Sequence, residues 1–199
     1  IIDREALMLG TNVYYGDGSV KARTGITAAM KPTLAGYKSC VRILKRNNAP
    51  KFENNTYVAI IHPDTWYDIT NEIEDIYKYT ESGMKKIFVG ELGTYQGVRF
   101  VETTNGKIYA EAGATNAGDS KKQDVYADIV LGRNAYGVTD IAGGGTNIIT
   151  KQLGSSGSED PLNQRSSVGW KGNRATKIVS EMFMVRYEHA TSTNEHEAN

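Results

Sequence analysis

Residues 57–79 read YVAIIHPDTWYDITNEIEDIYKY, and no other stretch constrains the fold as much. Tyr57–Ile61 is a run of β-branched and aromatic residues of strand length. His62-Pro63-Asp64 stops it: proline cannot donate to a sheet ladder but suits the first turn of a helix, and an aspartate there favours the positive end of the helix dipole. From that point Trp66, Ile69, Ile73 and Ile76 recur at i, i+3, i+7 and i+10, the spacing of one helical face. Asp68, Asn71, Glu72, Asp75 and Lys78 fill the remaining positions. A strand therefore feeds a short turn and an amphipathic helix. Strand and helix each present an apolar side that needs cover.

The same stretch holds the best candidates for chemistry. His62, Asp64 and Asp68 are ligand-type residues close in sequence, and a small metal-dependent enzyme would use them together. Their spacing matches no established ligand pattern, and helix initiation explains Pro63 and Asp64 without a metal. The expectation is therefore no metal site, no catalytic residue and no cofactor. The chain contains no GxSxG, HExxH or CxxC, and His62, His189 and His196 have no triad-like company. Gly16-Asp17-Gly18 is turn chemistry, since the lysine and hydroxyl of a phosphate loop do not follow it. Cys40 sits inside a helical pattern with no histidine or carboxylate beside it, which reads as a buried structural thiol.

Bulk properties narrow the function class. A chain of 199 residues makes one large domain or two small ones. At that size about 70% of the unfolded surface can be buried without staples. Lysine plus arginine number 23 and acids number 23, so the net charge is zero. That argues against a broad basic face for nucleic acid and suits packing against copies of itself. The single cysteine excludes an internal disulfide framework and fits a reducing compartment. No apolar run approaches the roughly 18 residues of a membrane span. The opening Ile1-Ile2-Asp3-Arg4 has neither an initiator methionine nor a signal pattern, and reads as a fragment or a processed product.

Taken in order, residues 1–9 read as the end of a helix stopped at Gly10, and residues 11–25 as a loop. Residues 33–48 form a second helix with Leu34, Tyr37, Val41 and Leu44 as its stripe. Its Lys38, Arg42, Lys45 and Arg46 make a solvated face. Residues 85–105 read as strand, turn, strand around Gly90, Gly93 and Gly97, and residues 107–122 as a polar surface loop. Residues 124–131 alternate, with Val125, Ala127, Ile129 and Leu131 on one face, which predicts a half-buried strand. Gly143-Gly144-Gly145 is a joint between lobes, and residues 154–160 a turn. Residues 147–153 read as a strand. Residues 166–171 and 176–188 read as an antiparallel pair joined near Gly172-Asn173, the second strand central because both its faces are apolar. The tail, residues 189–199, is polar and predicted to fray.

Five stretches carry a resemblance: LKRNNAPKF (44–52), YVAIIHPDTWYDI (57–69), GELG…GVRFVETTN (90–105), VLGRNAYGV (130–138) and DPLNQRSSVGWK (160–171). Together, and in this order, they resemble the major capsid proteins of tailed bacteriophages, specifically the family of the phage N-four major coat protein. The resemblance implies an α+β fold of the Hong Kong 97 type, a wedge with an axial and a peripheral lobe. Mapped here, residues 1–24 resemble the end of the spine helix and a loop of the peripheral lobe. Residues 25–144 resemble the axial lobe, 145–190 the peripheral-lobe strands and 191–199 a polar tail. Family members carry an N-terminal arm and an extended loop ahead of the spine helix, and neither is found in this sequence.

The implied function is structural and not enzymatic. Copies of the chain would assemble as hexamers and pentamers into an icosahedral shell around double-stranded DNA. The partners would be the chain itself and other virion proteins, with no sequence-specific DNA binding and no membrane. The implied location is the virion capsid, after synthesis in the host cytoplasm.

Overall fold

The computed structural model describes residues 1–77, 94–95, 97–116, 121–139, 145–155, 162 and 164–193. The expected strand at 87–89, Gly90, Gly93, the Gly143-Gly144 joint, residues 156–160 and His196 lie outside the described residues. The helices are α1 (Ile2–Leu7), α2 (Leu34–Arg46) and α3 (Pro63–Tyr77). The strands are β1 (Val13–Tyr15), β2 (Tyr57–Ile61), β3 (Thr94–Tyr95), β4 (Val98–Glu102), β5 (Lys107–Tyr109), β6 (Val125–Leu131), β7 (Tyr136–Val138), β8 (Asn147–Lys151), β9 (Ser167–Lys171), β10 (Thr176–Ile178) and β11 (Met184–His189).

One mixed sheet dominates, in the order β1-β11-β6-β2-β4-β3, with β5 also paired to β6. Its β2 and β4 run parallel, joined through α3, and β1 runs parallel to β11. The pair at its centre is antiparallel: β6 and β11 register Val130 against Val185 and Asp128 against Tyr187. Strand parity then divides the core. Ala59, Val130, Val185 and Tyr187 face α2 and the Ile69 side of α3. Ile129, Leu131 and Met184 face the other way, against Leu7 of α1. The sheet is thus covered on both faces.

Both long helices follow from local chemistry. The Thr33 hydroxyl accepts the Gly36 N–H at 3.1 Å and caps α2. Leu34, Tyr37, Cys40, Val41 and Leu44 are buried along one side, as the periodicity requires. Gly36 permits a close approach, because a Cβ there would run into the Tyr187 hydroxyl. In α3, Pro63 opens the helix and Ile69 is fully buried. Trp66 is only half-buried, its ring 6.0 Å from Phe100, and so lies at the margin of the core.

Several expectations change. Residues 124–131 are not half-buried: every residue of β6 is buried, because α2 and residues around His189 cover the face carrying Tyr126 and Asp128. The loop expected at 11–25 contains β1, and that at 107–122 contains β5 and a Thr115–Lys122 bridge. These pieces are too short to show a period. Residues 166–171 do not pair with 176–188; β9 pairs with β8 instead, and the later run breaks at a 3-10 turn, Glu181–Phe183. Its first part, β10, pairs with β7, while β11 alone is the central strand. The tail does not fray at its start, since His189, Ala190 and Thr191 are buried.

Candidate functional site

His62 ends β2, Asp64 lies in the first turn of α3 and Asp68 follows one turn later. The His62 Nδ1 lies 3.1 Å from Asp64 Oδ2, and the Tyr126 hydroxyl donates to the same oxygen at 2.8 Å. Burial, and then the Asp64 carboxylate, push the Tyr126 phenol up from its ordinary value. Asp68 is buried and occupied elsewhere: it accepts the Ser192 N–H at 2.8 Å and the Ser192 hydroxyl. The structure therefore brings His62 and Asp64 together and ties Asp68 to the C-terminal segment. Among the described residues no group of three His, Cys, Asp or Glu side chains could hold a metal ion. These contacts pin α3 to the sheet.

Two further polar clusters, one on each face of the sheet, had little local signal in the sequence. On the α2 face the Asp128 carboxylate accepts from the Tyr37 hydroxyl and lies 2.8 Å from His189 Nε2. On the opposite face Arg23 grips the buried Glu188 with two hydrogen bonds, 2.8 and 2.7 Å, and Arg186 adds a third at 2.8 Å. Arg186 also donates to the Met8 and Gly10 carbonyls, fastening the chain after α1 to β11. The one available clue was the presence of Arg186, Glu188 and His189 in a strand otherwise apolar on both faces. Burial pushes the Tyr37 phenol and the Cys40 thiol far above their ordinary values, so neither supplies a nucleophile.

Beside α2 lies an open groove of about 430 Å³ with Val98 and Phe100 on its floor and Lys38, Arg42 and Lys45 along its rim. Its described lining holds basic, hydroxyl and apolar side chains, with no carboxylate or imidazole among them.

The unusual surface is in the last third of the chain. Every residue of β8 and β9 is exposed, including Ile148, Ile149, Val168 and Trp170. Leu153, Leu162, Val179 and Met182 are exposed as well. Exposed apolar surface concentrated in one region marks a contact surface more often than scattered single residues do. Among the described residues no helix is long and apolar enough to cross a membrane.

No protein-family profile matches the chain, and no curated protein matches it. Solved structures do. The capsid of Ralstonia phage GP4 superposes with a TM-score of 0.63 at 12% identity, over 92% of this chain and 53% of that one. The capsid asymmetric unit of cyanophage Pam1 gives 0.67 at 16% identity, over 96% and 57%. The holo-SrpI encapsulin complex from Synechococcus elongatus gives 0.52 at 12% identity, over 92% and 58%. The chain thus spans little more than half the length of the structures it matches. With the mixed sheet, its flanking helices and the separate ribbon, these likenesses identify the architecture: the chain has the α+β fold of the Hong Kong 97 type, shared with tailed-phage capsids and an encapsulin.

Proposed function

We propose that this chain is the coat-forming part of a phage major capsid protein. Copies would tile as hexamers and pentamers into an icosahedral shell enclosing double-stranded DNA. The observation that carries the reading is the fold likeness to phage capsids over 92–96% of the chain. The balance of 23 basic and 23 acidic residues supports it, because like copies then approach without strong mutual repulsion. Rings built through heterologous contacts close without symmetry within each subunit, which suits a wedge with different surfaces on its two sides.

In this reading residues 25–144 form the axial lobe around the seven-stranded sheet, with residues 1–24 and 145–190 on the peripheral side and 191–199 as the tail. Val13–Tyr15 and Met184–His189 are exceptions, because they hydrogen-bond into the large sheet and go with it. Other virion proteins would be partners, and DNA would be enclosed without sequence-specific contact. The enzyme alternative has less support, since Asp68 is turned toward Ser192 and not toward His62 and Asp64.

Electron microscopy and light scattering on the protein expressed in its full reading frame test the proposal. Closed isometric particles, or rings of five and six, are expected. Monomers at every concentration and salt would overturn it. Elemental analysis addresses the enzyme: one equivalent of transition metal, lost in the Asp64→Ala/Asp68→Ala variant, would favour catalysis instead.

A further inference from the structure

We propose that the β8–β9 ribbon seats a second copy of this chain, with Trp170 as the central anchor; the inference rests on the coat-subunit reading and names the surface that reading needs. The antiparallel register sets Ile148 opposite Trp170 and Thr150 opposite Val168. Directly opposed residues point to the same side of a ribbon, so these four share one face. The other face carries Asn147, Lys171, Lys151 and Ser167, with Ile149 and Gly169 between them. The ribbon is amphipathic, and its apolar face is bare: Ile148, Val168 and Trp170 are 73%, 75% and 76% exposed.

A two-stranded ribbon is marginal in water unless further strands or a packed layer support it. Among the described residues β8 and β9 pair only with each other. No described pocket is lined by this face, which does not suit a small molecule, and the ribbon's lysines lie on the opposite side, which does not suit nucleic acid. A protein surface fits it better.

Size decides what kind of surface. Five residues per strand at ~3.4 Å, across two strands, give a footprint of roughly 170 Å². A stable pair of proteins buries about 800 Å² per partner. One ribbon contact cannot hold a dimer at micromolar concentration. It contributes when each subunit makes several contacts at once, as in a ring or shell, where linked weak contacts add as avidity. An assembly of copies of this chain supplies that multiplicity, and a tryptophan at the centre of a desolvated patch is the residue type that dominates such contacts.

These 199 residues hold two tryptophans, Trp66 and Trp170, so in a Trp66→Phe background the difference made by Trp170→Phe isolates the ribbon's emission. Emission wavelength and acrylamide quenching would be read across a concentration series, with light scattering on the same samples, using the protein in its full reading frame. Water-exposed emission when dilute is expected, then a blue shift and a several-fold drop in quenching as assemblies form. Ile148→Ser/Val168→Ser in the same background should keep far-UV circular dichroism and lose association. Should Trp66→Phe weaken folding, the difference between the natural chain and Trp170→Phe reads the same signal.

Three results would overturn the ribbon contact: assembly with Trp170 emission unchanged, emission already blue-shifted in the dilute monomer, or a double-serine variant that associates like its parent. The second of these would mean that the protein's own chain covers the face. The coat reading survives the first and third of these. If no preparation associates at all, the coat reading falls and the ribbon contact with it.

Discussion

The His189 Nε2 lies 2.8 Å from Asp128 Oδ2 with both side chains buried, and the Tyr37 hydroxyl donates to the same oxygen. Three elements far apart in sequence, α2, β6 and β11, meet at this carboxylate. The other ring nitrogen, Nδ1, faces the Ala190 carbonyl at 2.9 Å and fixes the ring plane. Removing one member of such a buried set leaves the others unpaired, which typically costs about 3–5 kcal/mol. Asp128→Ala should lose about that much by equilibrium urea denaturation, and Asp128→Asn, which keeps the shape and an acceptor, should lose less. A loss under ~1 kcal/mol in the alanine variant would mean the cluster does not hold the sheet to α2.

Gly36 should resist the smallest substitution. A Cβ there meets the Tyr187 hydroxyl and ring, and that tyrosine is fully buried. Alanine is ordinarily the better helix former by ~1 kcal/mol, so propensity alone predicts stabilisation. Overpacking acts the other way, typically by 1–3 kcal/mol. Gly36→Ala is expected to be destabilising, with a lowered melting temperature; a rise would show that α2 shifts freely over β11.

In α3 the buried anchor is Ile69, not Trp66. Ile69→Ala removes a fully buried side chain and should cost ~2–5 kcal/mol. Trp66→Ala should cost less than Ile69→Ala, because the indole is only partly buried, against the edge of the core. Parallel denaturation curves settle the order, and a larger loss at Trp66 would reverse it.

The docking of α1 should depend on acid. Arg174 and Thr176 hydrogen-bond Asp3 and hold its carboxyl down at about 2, below the ordinary aspartate value. A depressed carboxylate stabilises the fold in full above its unfolded value and loses that contribution as pH falls through the folded value. The contact between α1 and β10 should therefore be intact at pH 5 and weaken between about 4 and 2. Amide hydrogen exchange on Glu5–Met8 would report it, and Asp3→Asn should remove the pH step.

Cys40 should be silent to thiol reagents in the folded protein. It is fully buried within α2, and burial raises its thiol well above the ordinary value. Labelling should occur only at the rate of unfolding, so rapid modification in native buffer would mean that α2 detaches locally.

What the residues determined by themselves was local. The stripe from Leu34 to Leu44, the strand Tyr57–Ile61 and the start at Pro63 appear where spacing and turn chemistry place them, because each depends on neighbours within one or two turns. The alternation of 125–131 located a strand but could not show that Tyr126 and Asp128 are buried. Their cover comes from Tyr37 and His189, distant in sequence. In the same way Glu188 in a central strand is tolerable because Arg23, 165 positions earlier, folds back to join Arg186 in neutralising it. Adjacency alone did not say where His62, Asp64 and Asp68 point: helix geometry and a bond to Ser192 decide that for each carboxylate. The pairing of β9 with β8, and so the bare face of Ile148, Val168 and Trp170, also required the tertiary structure. Periodicity shows that a strand has an apolar side, whereas partner choice and burial depend on the whole chain's packing.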